Sequence, residues 1–237
     1  MGDTRLTQAL VAGAVLAGGQ SRRMGRDKAF LQIAGTPLIE RTLATLDRSF
    51  PEVLVVANDV QRYAHLGRRV AADLRPGAGA LGGLYTAIAL ASGQAAPPVP
   101  DRSGRLAAPT HVFVCACDMP FLDERLVDIL VREAGTPGAD GRLPDVVVPE
   151  DQNAPDSSAG LHPLCAVYGR RALPPIERRL AEGRLKVIGF YDEVRVRRVG
   201  PATLAAAGVP PHALLNTNTP EELALAESLL AAARPTD

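Results

Sequence analysis

The densest run of chemistry-bearing residues is Leu16-Ala17-Gly18-Gly19-Gln20-Ser21-Arg22-Arg23-Met24-Gly25-Arg26-Asp27-Lys28. Glycines let a backbone approach a polyphosphate closely and turn N–H groups toward it. Arg22, Arg23 and Lys28 add positive charge in the same loop, with guanidinium forks that match phosphate oxygens. The loop is not a Walker phosphate loop, whose lysine directly follows a glycine. Nor is it a dinucleotide fingerprint, because G-x-G-x-x-G is absent. A second candidate is Asp118, which ends an apolar run within Cys117-Asp118-Met119-Pro120. A carboxylate at the end of a buried strand, beside a phosphate loop, is placed to hold Mg²⁺ as a hard oxygen ligand.

Further polar residues punctuate the chain. Asn58 and Asp73 each follow an apolar run, where an amide or carboxylate can read a guanine edge or a ribose hydroxyl. Each would serve equally as a helix cap or turn residue. His162 precedes a proline and is either a phosphate donor or a satisfied structural residue. Thr219-Pro220-Glu221-Glu222 has the spacing of a capping box with proline at the first helical position. Asn216 and Asn218 precede that cap and could face an acceptor or a metal. Arg195, Arg197 and Arg198 alternate along an edge-like stretch, where they either meet an acceptor phosphate or stay solvated.

These residues need elements to position them. Val11–Ala17, Val53–Ala57, Val70–Ala72, His111–Cys117, Val146–Val148 and Leu164–Tyr168 are apolar runs of strand length. Between them lie helical patterns: one after Thr36-Pro37 carrying Leu38, Ile39, Leu43 and Leu46, then residues 60–66, 82–91, 123–130 and 170–182, with a closing helix over 220–233. Thr36 is expected to cap the first of them and Asp123 the fourth. Residues 92–109 and 152–160 are expected to be surface loops, and 193–199 an edge strand. Alternating strands and helices with continuous apolar strands predict an α/β fold. It is Rossmann-like: a mostly parallel sheet with helices on both faces. Ligands in such folds sit beyond the carboxyl ends of the strands, where Gly18-Gly19, Asn58, Asp73 and Asp118 fall. No repeat or internal boundary divides the 237 residues, so one domain over 1–237 is expected.

The charge balance, 26 lysines plus arginines against 26 aspartates plus glutamates, argues against a general polyanion binder such as a nucleic-acid protein. No apolar stretch reaches the length of a membrane span, and the N-terminus has no signal-cleavage pattern, so a cytoplasmic location is expected. Three cysteines (Cys115, Cys117, Cys165) lie in apolar runs and are expected to be buried free thiols, without the framework of a structural metal site.

L-A-G-G-x-S-x-R-M-G-x-D-K over residues 16–28 resembles the signature of nucleotidyltransferases with a Rossmann-like, nucleotide-diphospho-sugar transferase-like fold. Its Asp27-Lys28 ending is similar to the molybdenum cofactor guanylyltransferase branch. The resemblance continues through Asn58, Asp73, the C-D-x-P at Asp118, the H-P-x-x-A-x-Y from His162 to Tyr168, and the N-T-P-E-E-L from Asn218 to Leu223. It implies nucleotide contacts at Leu16, Ala17, Gly18, Gly19, Asn58 and Asp73, phosphate contact at Lys28, and Mg²⁺ on Asp118. Acceptor binding would fall to the C-terminal half, through His162, Asn216 and Asn218. The implied reaction is transfer of GMP from GTP to molybdopterin-bound molybdenum with release of pyrophosphate, Lys28 and Arg22 or Arg23 stabilising the leaving group. Transient contact with proteins that deliver or receive the cofactor is also implied. The 92–109 and 152–160 segments look longer than is typical of the family. The loop alone is shared with a cytidylyltransferase acting on the same cofactor and with sugar-phosphate nucleotidyltransferases. A non-catalytic molybdopterin carrier is a further alternative, against which Lys28 and Asp118 together argue.

Overall fold

The computed structural model describes residues 11–17, 28–93, 96–100, 106–151, 154 and 158–232. Its centre is a sheet of seven strands, the inner five buried on both faces and the two outermost partly exposed. In chain order these are β1 (Val11–Leu16), then, after a small hairpin of β2 (Gln32–Ile33) and β3 (Thr36–Pro37), β4 (Val53–Val56) and β5 (Arg69–Ala71). A second hairpin, β6 (Val99–Pro100) with β7 (Leu106–Ala107), precedes β8 (His111–Ala116), β9 (Val146–Pro149), β10 (Cys165–Gly169) and β11 (Val196–Val199). The spatial order is β11-β9-β10-β8-β1-β4-β5. Pairings are parallel except those of β10, which runs antiparallel to both β8 and β9.

The helices cover both faces, as the alternating pattern predicts. On one face, α1 (Leu38–Ser49) contributes Ile39, Leu43 and Leu46 to a core with Val15, Val55, Phe113 and Val147. There it is joined by Leu126, Val127 and Leu130 of α4 (Glu124–Ala134). The short α2 (Val60–Tyr63) leads into β5. On the other face, Leu81, Leu84, Ala87 and Ile88 of α3 (Gly79–Ala91) pack with Ile176 of α5 (Leu173–Ala181) against Ala14, Leu54 and Val114. The period-two alternation of each strand divides its residues between these two cores. Gly13 of β1 is glycine for space, since a Cβ there would lie 2.8 Å from the Phe50 ring. After β11 come α6 (Pro201–Ala206) and α7 (Pro220–Ala232). Ala226 of α7 closes a third, small core with Ile33 and Leu38.

Several local expectations hold. Asp123 caps α4, its Oδ1 accepting from Arg125 N–H at 2.9 Å. All three cysteines are buried and free. Among the described residues no helix is long and apolar enough to cross a membrane.

Others are corrected. Thr36 does not cap α1. Ala34 and Gly35 both have positive φ (51° and 80°), the two-residue turn that closes a hairpin, so Thr36 pairs with Ile33 and the helix begins after Pro37. The 92–109 segment is not loop throughout, because β6 and β7 pair within it. The 152–160 loop expectation is not overturned: part of it lies outside the described residues, and Asp151 N–H donates to the Gly160 carbonyl at 2.9 Å across its base. Strand β11 is an edge strand as expected, but its arginines are engaged. Arg197 Nη1 donates to the carbonyls of Glu133 and Thr136 at 2.7 and 2.8 Å. Arg195 pairs with Asp140 at 3.3 Å, and Arg198 lies 3.9 Å from Glu150. That set of partners fastens β11 to its neighbours and leaves an acceptor-phosphate role without support.

Candidate functional site

The carboxyl ends of β1, β4, β5 and β8 lie side by side at one sheet edge, because the four strands are adjacent and parallel. They deliver Leu16 and Ala17, Asn58, Asp73 and Asp118 to that edge. Ala17 N–H donates to the Val56 carbonyl at 2.8 Å and Cys117 N–H to the Leu16 carbonyl at 3.1 Å, so the ladder extends to the last residue before each polar group. Leu16 packs over Gly83 of α3, where a Cβ would lie 3.6 Å from it. Asn58 is exposed just before Asp59, whose side chain caps α2 by accepting from Arg62 N–H at 3.2 Å. Gly18, Gly19, Arg22 and Arg23 lie outside the described residues; Lys28, at the end of the same loop, lies within them.

The antiparallel course of β10 brings the segment from His162 to Leu164 to this edge as well. Ala116 N–H donates to the Leu164 carbonyl at 2.8 Å, which sets the His162–Leu164 entry beside Asp118. His162 itself is only 6% exposed. Its ring meets the Leu214 carbonyl and lies 3.9 Å from Asp151. Burial holds its pKa below the ordinary histidine value, against the opposing pull of Asp151, so the ring is neutral at neutral pH. In that position it supports the segment leading to Asn216 from behind.

The Asn216-Thr217-Asn218 segment is fastened to Asp118. Thr217 N–H and Thr217 Oγ1 both donate to the Asp118 carbonyl, at 3.0 and 3.2 Å. On the far side, Thr219 and Glu222 form the expected capping box. Thr219 N–H donates to Glu222 Oε2 at 3.0 Å, and Glu222 N–H to Thr219 Oγ1 at 3.2 Å. Glu222 also accepts from Asn218 N–H, which fixes the backbone at that residue. Asn218 Oδ1 in turn accepts from Lys28 Nζ at 3.1 Å. Lys28, Asp118 and Asn218, one from each third of the chain, therefore meet at one place.

Asp118 is placed to want a cation. Its Oδ1 is cut off from solvent and accepts no hydrogen bond among the described residues. Burial pushes its carboxyl above the usual range, against the pull of the Lys28 ammonium, while Glu222 adds a smaller push upward. Among the described residues Asn216 Oδ1 is a second buried oxygen with no donor. Two orphaned oxygens of hard character fit a divalent cation better than a soft one. Among the described residues no group of three or more histidine, cysteine or acidic side chains gathers to cage a metal. A small hard cation completed by water and phosphate oxygens does not need such a cage.

Two contributors carry little signal in the sequence. Thr217 sits unremarked between the asparagines, and only its threefold burial, backbone and side-chain engagement with Asp118 shows its role as the tie between the halves. Thr86 is the lone aliphatic hydroxyl in an apolar helix. It donates to Asp73 Oδ1 at 2.8 Å, and its place on the buried face of α3 is the one clue the sequence offers.

Comparison with known proteins agrees with this fold. The MobA-like NTP transferase domain family matches residues 13–195. A molybdenum cofactor guanylyltransferase of Desulfosudis oleivorans is 33% identical over 225 residues, covering 94% of this chain and 98% of that protein. A probable molybdenum cofactor guanylyltransferase of Pelotomaculum thermopropionicum is 34% identical over 211 residues, covering 89% of each. The fold is shared with molybdopterin-guanine dinucleotide biosynthesis protein A of Archaeoglobus fulgidus. That crystal structure superposes with a TM-score of 0.73 at 24% identity, covering 93% of this chain and 99% of the other. With a match that runs through the central sheet and relatives that align along nearly their whole length, the chain belongs to the MobA-like NTP transferase domain family and is a nucleotidyltransferase.

Proposed function

We propose that this chain transfers GMP from GTP to molybdopterin-bound molybdenum cofactor and releases pyrophosphate. The observation that supports the reading is the meeting of Lys28 with Asn218 and of Thr217 with Asp118, which would bring a nucleotide bound at the strand edge against an acceptor bound by the 216–218 segment. The names of the relatives supply the substrate pair. No observation favours a cytidylyltransferase, a sugar-phosphate enzyme or a non-catalytic carrier.

An oxygen of the acceptor's terminal phosphate attacks the α-phosphorus of GTP in line. The new P–O bond forms as the bridging bond to the β-phosphate breaks, and the electron pair leaves on pyrophosphate. Lys28 supplies positive charge near the triphosphate and stabilises that leaving group. Arg22 and Arg23, outside the described residues, would add to it from the same loop. Leu16, Ala17, Gly18, Gly19, Asn58 and Asp73 would line the nucleotide. Asn216 and Asn218 would orient the acceptor, with His162 holding their segment from behind. Asp118 and Asn216 would hold Mg²⁺, which when bound neutralises charge on the phosphate oxygens. The residues themselves position and stabilise; transfer of this kind needs no covalent intermediate on the protein.

The test mixes the protein with Mg²⁺ and each of the four nucleoside triphosphates, following heat of binding and, with molybdopterin added, pyrophosphate release. GTP-selective binding with molybdopterin-dependent pyrophosphate release is expected. Preference for CTP would move the chain to the cytidylyl activity, and binding of no triphosphate would overturn the reading.

A further inference from the structure

Asp73 stands two residues beyond the last residue of β5, Ala71, partly buried at the sheet edge. Its Oδ1 accepts from Arg75 N–H at 2.8 Å and from Thr86 Oγ1 at 2.8 Å. Thr86 is fully buried on α3, and its oxygen accepts from Leu74 N–H at 2.9 Å. A threonine hydroxyl has one proton to give. The acceptors within reach are Asp73 Oδ1 and the Gly82 carbonyl, the latter at 3.0 Å. The carboxylate is both the nearer and the charged acceptor, so the proton goes to it. Thr86 thereby bridges the backbone of the loop and the side chain of Asp73.

That arrangement leaves one carboxylate oxygen uncommitted. Oδ1 has two donors, while no described group donates to Oδ2. Oδ2 lies 2.8 Å from where a Cβ on Gly82 would stand, and such a Cβ would also lie 2.8 Å from the Arg75 carbonyl. Glycine at 82 keeps that oxygen in its place. A fixed anionic acceptor repels phosphate and suits a neutral donor such as a sugar hydroxyl.

We propose that Thr86 is a positioning residue that locks Asp73 so that its free oxygen reads a ribose hydroxyl of the nucleotide, making Thr86 a determinant of ribo- over deoxyribonucleotide selectivity. The inference rests on the reading of Asp73 as a nucleotide contact. A purely architectural Thr86 would weaken all nucleotides alike; a positioning Thr86 acts only on those that carry the hydroxyl.

The experiment titrates GTP, 2′-deoxy-GTP and 3′-deoxy-GTP, each with Mg²⁺, into the full chain and into Thr86→Val, Thr86→Ser and Asp73→Asn, with thermal melts of each. The full chain is expected to prefer GTP over at least one deoxy analogue by about tenfold or more, because a site built to bond a hydroxyl rejects an analogue lacking it. Thr86→Val is expected to reduce that preference to below about threefold by weakening GTP alone, and Thr86→Ser, which restores the hydroxyl, to retain it. Equal weakening of all three nucleotides in Thr86→Val, or an unchanged preference, overturns the proposal. If Asp73→Asn removes the preference but Thr86→Val does not, the positioning role alone fails. If Asp73→Asn keeps the preference, Asp73 does not read the ribose and both readings fall. Should Thr86→Val melt too early to titrate, the serine variant decides: a lost preference in a folded Thr86→Ser overturns the proposal, since its hydroxyl is intact.

Discussion

Lys28 Nζ and Asn218 Oδ1 are hydrogen-bonded at 3.1 Å across a sequence separation of 190 residues. The bond joins the end of the Gly-rich loop to the residue just ahead of the α7 capping box, and Thr217 beside it is bonded to Asp118. Among the described residues the Lys28 ammonium is thus held by an amide rather than by a carboxylate. An amide orients the ammonium without neutralising it.

The first prediction follows from that distinction. Asn218→Asp would turn the contact into an ion pair and compete with phosphate for Lys28. Turnover is expected to fall roughly 10²-fold, on the scale of losing one charge-stabilising group. Asn218→Ala is expected to fall less, since it removes orientation and leaves the charge free. Initial rates of pyrophosphate release in the two variants check the order; a faster aspartate variant would refute it.

Asp118→Asn removes a carboxylate that burial already disfavours in its charged form. The raised pKa means the folded state holds this proton more tightly than the unfolded chain, so stability is lost as pH rises through the raised value. At neutral pH without metal or nucleotide, the amide variant is expected to melt at or above the parent temperature and to show no turnover. Differential scanning calorimetry beside the pyrophosphate assay reads both. Preserved activity with Mg²⁺ present would remove Asp118 from the site.

Gly82→Ala would press a methyl group to within 2.8 Å of both Asp73 Oδ2 and the Arg75 carbonyl. One contact is backbone, so the loop must move. A stability loss of about 1–3 kcal/mol is expected from overpacking. Weaker GTP binding is expected with it. Urea denaturation and calorimetric titration separate the two effects.

The pH dependence of stability has a specific source at the opposite end of β8. His111 has its pKa lowered from the ordinary 6.5 by burial, opposed by its bond to the Pro144 carbonyl and by Asp145. The unfolded chain therefore binds a proton near pH 6.5 that the folded protein refuses. Stability is fully present above that pH and falls as the pH drops below it, until the folded-state pKa is reached. His111→Gln is expected to flatten this part of the curve. Urea midpoints between pH 5 and 8 measure it, and an unchanged slope would exclude His111 as its origin.

The sequence by itself determined those features that depend on near neighbours. The apolar runs at 11–17, 53–57 and 111–117 became β1, β4 and β8, because a strand buried on both faces has no other composition available. The Thr219–Glu222 capping box and the Asp123 cap are complete within three residues, and both formed. That Asp73 and Asp118 share one edge was legible because the ends of parallel strands must fall together.

Tertiary structure alone decided the rest. A run buried on both faces looks the same whether its neighbours run with it or against it, so nothing local revealed that β10 is antiparallel. That reversal is what carries His162 to the edge where Asp118 ends. Thr36 had the residue type of a cap but was drawn into a hairpin by the Ala34-Gly35 turn. Arg197 had the charge for a phosphate but found the Glu133 and Thr136 carbonyls across the sheet edge. Thr217 and Thr86 acquired their roles only when chain segments distant in sequence came within hydrogen-bond reach. A hydroxyl has no function to read until its partner is placed, and only folding brings that partner within about 3 Å.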